Sequence, residues 1–85
     1  MKYTVKDLDY IFIRAQLPNG KWDNLSLNEL TDKQFTDWAE TKFYIKIQDD
    51  STVKGKIWSK QDKVDFLNDM VKRNGGKPVV VMLKH

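Results

Sequence analysis

Aromatic rings and cations alternate along three stretches of this chain: Tyr10, Phe12 and Arg14; then Tyr44 and Lys46; then Lys54, Lys56 and Trp58. If these stretches are strands of one sheet, side chains two residues apart share a face. The eight residues then form a single open surface of rings set between amines and a guanidinium. Single-stranded nucleic acid binds such a surface by stacking bases on rings, at about 1 to 3 kcal/mol each, while the cations neutralise phosphates. Tyrosine, tryptophan and arginine are also the residues that anchor protein interfaces. A third reading is structural: rings on a second sheet face pack beneath an N-terminal segment or across a dimer axis, and interleaved lysines guard strands against aggregation.

Charge helps to order these readings. Fifteen cations stand against 12 anions, for a net charge of +3 and an isoelectric point near 9.2. That is a mixed surface, not the field of a committed nucleic-acid binder. The leading expectation is therefore a non-enzymatic adaptor, inhibitor or regulatory domain that docks another protein. A sequence-tolerant binder of single-stranded nucleic acid is the alternative, and a self-associating structural protein, such as a homodimer, the third.

Other chemistries lack their residues. Cysteine is absent, which removes disulfides, thiolate nucleophiles and sulfur-ligated zinc, and His85 is the single imidazole. With one terminal histidine no serine triad can be assembled, so the Ser59 hydroxyl is assigned to a helix cap. Asp49, Asp50 and Ser51 lack the alternate-residue spacing of a calcium loop and read as turn formers. Asp62, Asp65 and Asp69 lie beside Lys60, Lys63, Lys72 and Arg73, the pattern of a solvated helix face. Gly75-Gly76-Lys77-Pro78 follows a helix instead of opening one, so it presents no ring of amides to a phosphate. No catalytic residue, metal site or cofactor is expected.

Eighty-five residues suffice for one hydrophobic core, so residues 1–85 are read as a single domain. Forty per cent hydrophobic residues, with charge spread along the chain, is a globular composition. The first residues lead into charges without an apolar stretch, giving no expectation of a signal peptide or membrane span, and the lack of cysteine favours the cytoplasm. Lysine outnumbers arginine 13 to 2, a bias consistent with AT-rich coding in a bacterium or a phage.

The elements that must carry the ring-and-cation surface are read from periodicity. Leu17-Pro18-Asn19-Gly20-Lys21 is a hairpin turn. Before it, Asp9 to Leu17 alternates with Ile11, Ile13, Ala15 and Leu17 on one face; after it, Lys21 to Leu25 returns as an edge strand. Thr31 and Gln34 form a capping box, and Leu30 and Phe35 a hydrophobic staple, for a helix from about Thr31 to Thr41. A Ser26-Leu27-Asn28-Glu29 pattern offers an earlier start for it. Alternation resumes over Phe43 to Gln48 and again over Val53 to Trp58, predicting a second hairpin with Val53 and Ile57 facing the core. A second helix opens at Ser59 with Asp62 in its first turn, buries Val64, Phe66, Leu67, Met70 and Val71, and stops at Asn74-Gly75-Gly76. Val79 to Leu83 is apolar on both faces and reads as a central strand. Tyr3 to Leu8 fits either a helical turn or an added strand, and Trp22 and Trp38 read as core or core-rim residues. Together these predict an α+β fold: a small two-layer sandwich whose mostly antiparallel sheet, in the order β-β-α-β-β-α-β, carries two helices on one face.

Overall fold

The Leu17-Pro18-Asn19-Gly20 turn closes a β-hairpin in the computed structural model, which describes residues 2–47 and 57–80. Gly20 takes φ +86°, open to a residue without a Cβ, and its N–H reaches Leu17 C=O at 2.9 Å while Leu17 N–H reaches Lys21 C=O at 2.7 Å. Strand β1, Phe12–Gln16, pairs antiparallel with β2, Trp22–Ser26, from Phe12 opposite Ser26 to Gln16 opposite Trp22. The bonds of Leu17 to Lys21, and of Leu27 N–H to Ile11 C=O at 2.9 Å, fix the phase of the ladder. Odd-numbered residues of β1 exchange backbone bonds with β2, and Phe12, Arg14 and Gln16 turn theirs to the outer edge.

Tyr3 to Leu8 resolves as helical: a 3-10 helix spans Val5–Tyr10, held at its start by Thr4 N–H on the Asp7 carboxylate at 2.8 Å. Tyr3 is buried in front of it. Its backbone N–H and C=O both pair with the Asn68 amide, at 2.7 and 3.1 Å, and its hydroxyl donates to Val80 C=O at 3.1 Å. After β2, Glu29 Oε2 accepts Ser26 N–H at 2.9 Å, so the Ser-x-x-Glu pattern closes a turn and not a helix start.

Helix α1, Asp32–Phe43, begins at the Thr31 cap: Gln34 N–H donates to Thr31 Oγ1 at 3.2 Å and Thr31 N–H to Gln34 Oε1 at 2.9 Å. Helix α2, Lys60–Arg73, repeats the device with Ser59 and Asp62 at 3.1 and 3.2 Å. It ends with Gly76 N–H on Val71 C=O at 2.9 Å, with Gly75 and Gly76 at positive φ, as the glycine stop requires. The core joins Leu8, Ile11 and Leu27 to Phe35 and Leu67, each fully buried and each contributing roughly 1.5–3 kcal/mol of burial.

The structure is α+β, with a two-stranded antiparallel sheet among the described residues. The strand expected over Phe43 to Gln48 is not formed where it is described. α1 continues through Phe43, Tyr44 caps it in the left-handed region at φ 54° and ψ 44°, and residues 45–47 follow without strand pairing. Phe35, Ala39 and Phe43 recur every four residues, so a helix buries Phe43 as well as an alternating strand would. Its ring meets Trp38 at 5.8 Å and Phe66 at 5.6 Å between centroids. Glu40 then takes the amides a strand would have used, Ile45 N–H on its C=O at 3.3 Å and Ile47 N–H on its carboxylate at 2.7 Å. Of the strand expected over Val53 to Trp58, residues 53–56 lie outside the described residues, and Ile57 and Trp58 are not in a strand. Of that over Val79 to Leu83, Val79 and Val80 form a bend and the rest lies outside.

Candidate functional site

β1 and β2 turn one face to the core and the other to solvent. Ile11 and Ala15 are buried beneath the hairpin, whereas Phe12, Arg14 and Gln16 stand on the outer face with Trp22 and Asn24 opposite. Tyr10, at the end of the 3-10 helix, is also exposed. Beside this face α1 runs along the outer edge of β1, and Gln34 Nε2 donates to Gln16 C=O at 3.0 Å. Between strand and helix lies a groove of about 540 Å³, walled by Arg14, Leu17, Pro18 and Trp22 on the hairpin and by Gln34 and Trp38 on α1. Asp37 on the helix wall pairs with Lys33 at 3.0 Å.

Of the eight residues proposed from the sequence, Phe12 and Arg14 share this face, with Tyr10 adjoining in the chain. Tyr44 is 94 % exposed, but at the C-terminal cap of α1, and Lys46 follows it in the irregular segment. Neither belongs to the sheet. Lys54 and Lys56 lie outside the described residues. Trp58 is corrected outright as a surface residue: it is 8 % exposed, with its ring 4.6 Å from Phe35 and 5.5 Å from Phe66. Its indole N–H donates to Thr36 Oγ1 at 2.8 Å and its backbone N–H to Asp32 Oδ1 at 3.0 Å. Ile57, expected inside, is exposed instead, because the residue that precedes the Ser59 cap is the one carried inward by α2.

Two further side chains depart from their sequence reading, Trp22 and Lys63, while Trp38 keeps to it. Trp22, expected in the core or at its rim, is 56 % exposed, since its partner across the ladder is Gln16 on the outer face. Trp38 is half-buried, as expected of a rim residue, and reaches the groove. Lys63, expected on a solvated face, is buried. Its ammonium donates to Leu27 C=O at 2.8 Å and Leu30 C=O at 3.1 Å and lies 5.5 Å from the Phe35 ring centre. Burial pushes the Lys63 pKa below its ordinary value, the Asp32 carboxylate raises it in part, and Lys60 lowers it further. The signal was present in the sequence: Lys63, Leu67 and Met70 are spaced along the apolar stripe of α2.

No helix among the described residues is long and apolar enough to cross a membrane. Comparison with protein families, with curated proteins and with solved structures finds no match to this chain.

Proposed function

We propose that this chain is a non-enzymatic protein-binding domain, an adaptor or regulatory subunit of the cytoplasm, that docks its partner on the outer face of the hairpin and in the groove beside it. The observation that carries the reading is the grouping of exposed Phe12, Arg14 and Trp22 on the outer face of the hairpin, with Arg14 and Trp22 walling a groove that reaches Trp38. Aromatic rings and arginine bury much area for little lost side-chain freedom, and a concave site lets their removal from water be nearly complete. The nucleic-acid alternative draws less support, because Trp58 is in the core and Tyr44 stands apart on α1.

The test is capture of a partner from the source cell by the immobilised chain, in parallel with a Trp22→Ala, Arg14→Glu double variant. A protein held by the wild type and released by the variant, with little sensitivity to salt, supports docking. Retained nucleic acid, with affinity falling steeply as salt rises, decides for the alternative. Equal retention by wild type and variant removes the surface from consideration.

A further inference from the structure

The two outer edges of the hairpin are treated differently. On β2, Ser26 gives its N–H to the Glu29 carboxylate and receives Glu29 N–H on its C=O, while Asn24 N–H turns onto Asp23 Oδ1 at 2.8 Å. On β1, the N–H and C=O of Phe12 and Arg14 and the N–H of Gln16 point away from β2 and meet no partner among the described residues. Only Gln16 C=O is taken, by Gln34. Soluble proteins block strand edges because an open one templates further pairing. Here, among the described residues, the β2 edge has half of its outward groups taken by local partners, whereas the β1 edge has one of six taken and forms the side of the groove.

Resting on the docking reading above, we infer that a partner's extended segment adds to β1 as a third strand, with an acidic side chain opposite Arg14 and an apolar one turned toward Trp38. Donors and acceptors alternating at the strand repeat are matched by an extended backbone and by little else, and strand addition supplies affinity through them. Side chains of the added strand alternate between the two faces. Those on the outer face meet Arg14, which has no acidic partner among the described residues, in a chain of net charge +3. Those on the other face meet the apolar side of the groove, where Trp38 is half-buried. The Gln34 bond closes the Gln16 end of this edge, so the added strand runs from there toward Phe12. A second copy fits less well: antiparallel pairing of two β1 edges centred on Arg14 sets Arg14 against Arg14, and like charges directly opposite repel.

A random peptide library displayed on phage and panned on the full chain provides the probe. The best peptide is then synthesised with N-methyl groups on one alternating set of backbone amides, and separately on the other. Strand addition expects enriched peptides in which acidic and apolar residues alternate. It also expects binding to slow hydrogen exchange at the Phe12, Arg14 and Gln16 amides, and one N-methylated set, but not the other, to lose affinity about tenfold or more. Arg14→Glu shifts the enriched peptides from acidic to basic, with circular dichroism confirming that the variant folds. A peptide that needs Trp22 but tolerates both methylated sets equally, and leaves the β1 amides exchanging freely, overturns strand addition while the docking reading stands. A library that yields no binder overturns strand addition as well, and the docking reading is then judged by its own capture experiment.

Discussion

Lys63 shows how one residue can be held by burial and by hydrogen bonds of opposite effect. Its ammonium closes the carbonyls of Leu27 and Leu30, and removing it leaves both acceptors inside the protein without a donor. Lys63→Ala is expected to cost about 2–3 kcal/mol by urea unfolding, and Lys63→Met somewhat less because it keeps the aliphatic stem. The same burial sets a pH dependence. Below the lowered folded pKa both states carry the proton, and above the unfolded value of 10.5 neither does. Between the two the unfolded chain binds more protons, so stability rises with pH across that window. Wild type should therefore gain on Lys63→Met between neutral pH and pH 10.5; a constant gap between their unfolding curves would show that Lys63 titrates alike in both states. Trp58→Ala, by emptying a core position and orphaning the Thr36 hydroxyl, is expected to cost about 3–5 kcal/mol on the same assay. Neither Lys63 nor Trp58 had been read as buried from the sequence. A lysine is assigned to water on its charge unless the stripe it sits in is weighed first, and Trp58 alternates with Lys54 and Lys56 as readily as it precedes a helix cap.

At the level of elements, the local devices were legible because they act over three residues. Thr31 with Gln34 and Ser59 with Asp62 form the bonds their spacing announces, and each cap removed as Thr31→Ala or Ser59→Ala should cost about 1 kcal/mol. These two losses are not expected to add. Trp58 N–H donates to Asp32 Oδ1, which places the starts of both helices against one carboxylate, so a double-mutant cycle should return a coupling of about 0.5 kcal/mol or more. The end of α1 was misread for a related reason. Phe43, Ile45 and Ile47 satisfy a period of two, while Phe35, Ala39 and Phe43 satisfy a helical one, and only the Trp38 and Phe66 rings decide between them. The helix is bought at the cost of a tyrosine in the left-handed region. Because Tyr44 is almost wholly exposed there, Tyr44→Gly should raise the melting temperature, by an amount equivalent to about 1 kcal/mol.

For the molecule as a whole, the ring-and-cation platform read from the sequence required three stretches to lie in one sheet. Where they are described, the structure keeps the first, Phe12 and Arg14 with Tyr10 adjoining, and assigns the others to a helix cap and to the core. Alternation names which residues share a face of a strand, but not which stretches are strands, and that choice depended on contacts far apart in the chain. The groove between β1 and α1 is of the same kind: Trp22 and Trp38 are 16 positions apart in sequence and come to line one groove through the hairpin's turn, the Gln34 bond and the packing of α1 on the core. Tyr3 extends this dependence to its limit. It is tied to Asn68 and to Val80, partners 65 and 77 positions away. During synthesis Tyr3 therefore cannot find its place until α2 and the bend after it have emerged from the ribosome. A nascent chain stalled short of Val80 should keep Tyr3 and its neighbours open to protease long after the hairpin has closed.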